Sequence, residues 1–511
     1  MKRAVIIGSG FGGLSAAAFL AQDGYEVTVL EMHEQPGGRA RQWKKDGFTF
    51  DMGPSWYLMP DAFENFFAAF GKKPSDYYEL ARLDPSYRIY FGKNDTVDLS
   101  ADLGKNIALF EQIEPGAGEK LRAYLAQAAY QYRVSMDEFL YRNIARLRDF
   151  FTKRMMTEGR KMRVFESLDR LTRRYFASER LRKILEYSMV FLGGAPKNTP
   201  ALYSVINHAD FALGVWYPQG GFGSVARGIE RLGKEHGVTF RYNTEVKGIE
   251  VANGKAVGVR TADGLVEADI VVANADYHHV EMDMLPASAR SYSAGYWRRR
   301  TVAPSAFIMY IGLSKKLSQA AHHMLMLDHD WVEHFNAIFD APNWPKEPSY
   351  YVCCPSKTDP SVAPAEGENL FVLVPIASGL PDTEDIREAF GARILEHMEG
   401  ILGTSIRDSI LVKRTYSLND FAADYHAFKG TALGLSHTLR QTALFRPKIK
   451  SPKVSNLYYV GQYTQPGIGV PMTLISGQLV RDEVRKDTAT SAEGSTHTGA
   501  HHDAGTQSLH A

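Results

Sequence analysis

The first residues whose type and spacing can do chemistry are Gly8-Ser9-Gly10-Phe11-Gly12-Gly13. They follow the apolar run Ala4-Val5-Ile6-Ile7, which reads as a buried parallel strand, and they open a helical stretch, Leu14–Asp23. A second strand, Glu26–Glu31, ends on an acid 18 residues beyond Gly13. Together these parts can hold a dinucleotide. Gly8 permits the tight turn and Gly10 lets a pyrophosphate approach the backbone. Gly12 and Gly13 complete the turn, with Gly13 allowing the helix to close on the strand. The helix N-terminus offers N–H groups and a positive dipole end to phosphate. Glu31 can accept from ribose hydroxyls, and an acid there disfavours a 2′-phosphate. The strand, turn, helix, strand and terminal acid in register make this signal much more specific than a glycine triplet alone.

The next segment, Pro36-Gly37-Gly38-Arg39-Ala40, separates FAD from NAD. A nicotinamide dehydrogenase has no need of a second glycine pair followed by arginine. A buried flavin pyrophosphate gains a further close backbone approach at Gly38 and a guanidinium at Arg39. Gly220-Gly221-Phe222-Gly223 follows a proline and lacks the strand before it and the acid after it, so no second nucleotide site is expected. No His-Glu-x-x-His, Cys-x-x-Cys or Gly-x-Ser-x-Gly occurs, which leaves metal and serine-hydrolase chemistry without support. The chain reads as a flavoenzyme oxidoreductase with FAD as cofactor and no metal.

At 511 residues the chain exceeds the size at which one core keeps growing. Strand and helix signals interleave along it. The expected fold is α/β: a Rossmann-like FAD-binding domain built from non-contiguous segments, an inserted α+β substrate domain, and a helical membrane-facing region. The expected divisions are residues 1–88, 214–280 and 447–487 for FAD binding, 89–213 for the helical region and 281–446 for the substrate domain. Strands are expected at Val238–Tyr242, Val246–Val251, Ile270–Ala273 and Leu457–Val460, and a last helix at Met472–Val484. Residues 488–511, poor in large apolar side chains, are expected to be a disordered tail.

A net charge of +1 argues against nucleic acid as a partner. The two cysteines, Cys353 and Cys354, are adjacent, make a poor staple and fit a reducing cytoplasm. No apolar run approaches the ~20 residues that span a bilayer. Residues 142–174 hold eleven Lys or Arg against four Asp or Glu, a polybasic stretch suited to anionic lipid. Tyr292–Met309, with Tyr296, Trp297 and Arg298–Arg300 beside Ala306-Phe307-Ile308-Met309-Tyr310, is a second candidate interface.

These motifs, with Gly47–Ser55, Gly214–Gly221, Asn274-Ala275-Asp276, Gln441–Pro447 and the closing stretch Asn456–Pro471, resemble the carotenoid desaturases of the bacterial phytoene desaturase type. That family lies within the amine oxidase-like flavoproteins, and the resemblance runs through nearly the whole chain in order. It implies hydride and proton removal from a CH2–CH2 unit of a carotenoid, phytoene above all, with oxygen or a quinone as electron acceptor. It places Gly461, Gly469 and Met472 along the flavin, Val246 at the adenine, and Asp149 as a carboxylate near the flavin. It also implies a protein peripheral on the inner face of the cell membrane, since a long hydrocarbon is stored in the bilayer. The family's small residues after Gly461 are replaced here by Gln462 and Tyr463, which bears on which carotenoid fits. A carotenoid 3,4-desaturase, isomerase or saturase shares the scaffold. So do soluble amine oxidases and, without redox chemistry, prenyl-lipid carriers of the GDP-dissociation-inhibitor type.

Overall fold

The computed structural model describes residues 1–146, 162–163, 166–438 and 440–497. Asp149 lies outside the described residues, as does most of the polybasic stretch. Among the described residues, no helix is long and apolar enough to cross a membrane.

A five-stranded parallel sheet carries the N-terminal motif. Its order is Leu457–Tyr459, Ile270–Ala273, Arg3–Ile7, Glu26–Leu30 and Thr239–Arg241, so its strands come from three distant parts of the chain. The Arg3–Ile7 strand is buried on both faces, as an inner parallel strand requires. Ala4 and Ile6 face the helices Phe11–Gln22 and Val470–His497. Val5 and Ile7 face a three-stranded antiparallel sheet that includes Ile249, Ala256 and Val259. The two helices lie close together: Ser15 Oγ donates to the Leu474 carbonyl at 2.7 Å, and a Cβ on Gly477 would stand 2.4 Å from Ser15 Oγ.

The closing helix begins two residues before the expected Met472 and continues past Thr488 to His497. Thr488 was expected to begin the disordered tail, but adding residues to a formed helix costs far less than starting one. One expected strand also differs. Val246 lies in an extended loop, and the strand begins at Gly248. Residue 88, an expected boundary, falls inside the strand Tyr87–Gly92.

A seven-stranded sheet runs in the order Ile410–Tyr416, Ser305–Leu313, Glu368–Ile376, Tyr350–Cys353, His323–Met326, Tyr87–Gly92 and Asp95–Leu99. Ser305–Leu313 is paired on both edges and buried at every position. Ala306, Ile308 and Tyr310 enter one core, and Phe307, Met309 and Ile311 the other. This corrects the reading of Tyr292–Met309 as a membrane interface. Its apolar run is an inner strand, and Trp297 is buried as well.

The Gly220–Gly223 turn opens the helix Phe222–Glu235, and Asp51 takes up that N-terminus. The Asp51 carboxylate accepts from Phe222 N–H at 2.7 Å, Gly223 N–H at 3.2 Å and Gln42 Nε2 at 2.9 Å. A protein carboxylate therefore occupies the place where a second nucleotide would put its phosphate. Burial outweighs these donors and pushes the Asp51 carboxyl up to about 6 from its ordinary 3.8. A raised folded-state value favours the native state at low pH, and that contribution is lost as pH rises through about 6. Its size is up to about 3 kcal/mol. Denaturant midpoints measured from about pH 4 to 7 should therefore fall more steeply with rising pH in the native protein than in Asp51→Asn. Parallel curves would show that Asp51 is charged throughout.

Candidate active site

Three turns meet at the carboxyl ends of the inner parallel strands, where ligands of such sheets bind. Gly8 has φ +91° and its N–H donates to the Leu30 carbonyl at 2.8 Å. Gly38, with φ +56°, lies against Gly10, and a Cβ there would stand 3.0 Å from the Gly10 Cα. Gly461, with φ +106°, closes the third side. One side chain fills the centre. Asn274 Nδ2 donates to the Gly8 carbonyl at 3.2 Å. A Cβ at Gly10, Gly12 or Gly13 would meet the Asn274 side chain at 2.9 Å, and one at Gly461 at 3.1 Å. No side chain caps the N-terminus of the Phe11–Gln22 helix, so its first N–H groups face this turn.

Glu31 is buried at the end of the second strand. Its Oε2 accepts from the N–H and Oγ of Ser9, both at 2.7 Å, and Oε1 accepts from His33 N–H at 2.9 Å. A carboxylate has about four acceptor positions, so one remains for a ribose hydroxyl. The Arg39 guanidinium lies over the rings of Tyr425 and Phe421, at 4.9 and 5.5 Å. Its Nη1 donates to the carbonyls of Thr431 and Ala432 at 3.0 and 2.9 Å. Arg41, two residues on, pairs with Asp424, and its Nη1 lies 2.7 Å from His33 Nδ1.

The closing turn is held from behind by Arg446, buried in the Gln441–Pro447 segment. Its guanidinium donates to the carbonyls of Thr464, Tyr463 and Gln462, at 3.0, 3.2 and 2.5 Å, and to that of Gln441 at 3.3 Å. Burial lowers Arg446 to about 10, which leaves it charged at neutral pH. Gly467 and Gly469 have φ +137° and +114°. A Cβ on Gly467 would stand 2.3 Å from His437, whose ring packs on the turn. His437 Nε2 accepts from Ile468 N–H at 3.1 Å, and its Nδ1 lies 2.5 Å from the Tyr203 hydroxyl. Tyr463, one of the two bulky substitutions, is directed to Asp276, to which its hydroxyl donates at 2.5 Å.

A cavity of about 920 Å³ joins these parts. Gly8, Gly10, Gly12, Glu31, Gly38, Arg39, Val246, Gly461, Gly469 and Met472 all line it. Gly13 does not, because it packs against the Gly8 carbonyl beneath the turn. The same cavity is walled by Trp56, Tyr132, Phe139, Leu140, Ile206 and Leu373. Ile144 lines the cavity as well. Its N–H donates to Gln465 Oε1 and its carbonyl accepts from Gln465 Nε2, both at 3.0 Å. Asn274, Arg446 and Gln465 were not singled out from sequence as site residues. Their chain position directly after a buried strand, or inside the motifs bounding the closing turn, was the available signal.

The glycine cradle, the uncapped helix end and the buried acid suit FAD. Residues 11–484 match the family described as flavin containing amine oxidoreductase. The chain is 47% identical over 487 residues to a carotenoid 3,4-desaturase of Haloarcula japonica, covering 95% of this chain and 98% of that protein. It is 36% identical over 492 residues to a zeta-carotene-forming phytoene desaturase of Myxococcus xanthus, covering 94% of each. A crystal structure of an oxidoreductase from Methanosarcina mazei shares the fold, with a TM-score of 0.63, 18% identity and coverage of 94% of this chain and 100% of that one. With that cradle at the ends of its parallel strands, the chain belongs to the FAD-binding flavin containing amine oxidoreductases and, among them, to the carotenoid desaturase family.

Proposed function

We propose that the protein desaturates a carotenoid, with FAD in the glycine cradle and the polyene along the apolar part of the same cavity. The observation that carries this reading is that one cavity is lined both by Glu31 and Gly10 and by Trp56, Phe139 and Leu373. FAD, when bound, supplies a hydride acceptor for C–H oxidation. The chain supplies position. In this reading the N–H groups around Gly10, Gly12 and Gly38 meet the pyrophosphate, assisted by Arg39, and Glu31 accepts from the ribose. Val246 would meet the adenine, and Gly461, Gly469 and Met472 would hold the flavin. The aromatic and aliphatic walls exclude water and hold a hydrocarbon that offers no polar handle.

Hydride loss from an allylic carbon leaves positive charge spread along a polyene. Asp149 is the carboxylate proposed to stabilise that charge and to take the following proton. The clip between Ile144 and Gln465 supports this, because it ties the chain five residues upstream to the closing turn. The electron acceptor proposed for the bound cofactor is oxygen or a quinone. A peripheral position on the inner membrane face gives the substrate access from the bilayer.

The greater identity to the 3,4-desaturase favours an already conjugated carotenoid over phytoene as substrate. A non-redox prenyl-lipid carrier is the weaker reading, since the matching relatives are desaturases over nearly their full length.

Gly10→Val should abolish FAD uptake while leaving circular dichroism unchanged, because its side chain enters the space beside Asn274. Full flavin content in that variant would overturn the assignment of the cradle. Holoenzyme in liposomes loaded with phytoene or with lycopene should red-shift the lycopene spectrum, each added double bond lengthening the chromophore. A shift with phytoene alone would return phytoene as the substrate, and no shift with either would reject carotenoid desaturation. Asp149→Asn should keep its FAD and lose turnover by ~10²–10⁴-fold, the usual range for acid–base help. Turnover at the parent rate would show that the reaction proceeds without it.

A further inference from the structure

Beneath the cavity wall, three ligand-type side chains are buried together: His322, His323 and Cys353. One ring nitrogen from each histidine and the Cys353 sulfur lie within 4.8 Å of one another. Strand pairing creates the cluster. His323 stands opposite Cys353 on neighbouring antiparallel strands, so their side chains share a face. His322, one residue earlier, lies with its ring centroid 4.5 Å from that of His323.

The hydrogen bonds of the two imidazoles are alike. His322 Nδ1 lies 2.7 Å from Thr358 Oγ1, and His323 Nδ1 lies 2.7 Å from the Tyr351 hydroxyl. In both rings Nε2 is buried without a hydrogen-bond partner. An unpaired buried polar atom is costly, and here two stand beside a thiol. A ring that donates Nδ1–H to a hydroxyl keeps its lone pair on Nε2. That is the tautomer, and the outer hydrogen bond, of a metal-ligating histidine. Two imidazoles and a thiolate form a donor set for soft or borderline ions, not for Mg²⁺ or Ca²⁺. The Asp359 carboxylate near His322 and that of Asp51 near Cys353 add negative potential.

We propose that His322 Nε2, His323 Nε2 and the Cys353 thiolate bind one thiophilic d¹⁰ cation, Zn²⁺ or Cu⁺. Binding forms two metal–nitrogen bonds and one metal–sulfur bond, and releases the thiol proton to solvent with no change of oxidation state. The ion acts as a brace. His323 stacks on Trp56 at 4.3 Å, and its Tyr351 partner lies 2.8 Å from Ser55 Oγ. Trp56, Tyr351 and Ser55 all line the cavity, so the ion fixes that part of the wall.

The test uses full-length, FAD-loaded protein in which His497, His501, His502 and His510 are replaced by Gln, removing the competing tail ligands. Cells are grown with added zinc or added copper, and the dialysed protein is analysed by elemental mass spectrometry and X-ray absorption. The expected result is close to one metal per chain, the richer of the two ions naming the native one. The metal edge should show a sulfur neighbour, at ~2.3 Å for zinc, with nitrogens at ~2.0–2.1 Å. His323→Gln and Cys353→Ser should each reduce metal at least tenfold with FAD retained. Less than a tenth of an equivalent in both media would overturn the proposal. So would full metal content in both variants, or a coordination shell without sulfur. If neither variant folds, the absorption spectrum of the parent protein decides.

Discussion

The site depends on backbone crowding. Turns from three distant parts of the chain approach one another at the ends of the inner strands, and Asn274 occupies the space left by Gly10, Gly12, Gly13 and Gly461. A Cβ at any of these positions would crowd the asparagine side chain at 2.9–3.1 Å, so the glycines and the asparagine fit together. The cost of so much glycine is entropic, of order 0.5–1 kcal/mol at each position relative to alanine. It is offset by a sheet buried on both faces and by two helices packed tightly enough that Gly477 has no room for a side chain. The sheet topology therefore sets the shape of the cradle.

From this constraint follows the division of the cavity. Groups able to hydrogen-bond are gathered near the turns, where Glu31, Arg39 and the first helix end lie. The closing turn is tied down from behind by Arg446 and flanked by His437. Beyond it much of the wall is aromatic and aliphatic, with Trp56, Phe139, Leu140, Ile206 and Leu373. A hydrocarbon substrate can be oriented only by shape, so the rigidity of these walls substitutes for specific polar contacts. Trp56 and Tyr351 matter in this respect, because each is fixed from outside the cavity by contacts to His323.

Much of this was legible in the amino-acid order. The Ala4–Ile7 strand, the glycine turn and Glu31 form a local unit whose chemistry needs no knowledge of the rest, and the sheet contains them as read. Long-range features were harder. Asn274 is one polar residue after a strand, and only its meeting with four glycines from elsewhere gives it a role. The run Ala306–Tyr310, flanked by aromatic and basic residues, looks the same whether it lies on lipid or within a sheet. Pairing on both edges decides the matter. Val246 has a strand former's side chain, but its backbone is in the loop before Gly248. The His322, His323 and Cys353 cluster matches no spaced metal motif, since strand register creates it.

The most direct measurement is a single turnover without oxygen. FAD-loaded protein, free of any other acceptor, is mixed with excess carotenoid in anaerobic liposomes, and flavin and carotenoid absorbance are followed together. One loss of oxidised-flavin absorbance per newly formed double bond, with no further product until oxygen or a quinone is admitted, is the predicted result. Product formed in the dark without flavin bleaching, or bleaching without a change in the carotenoid, would contradict the account.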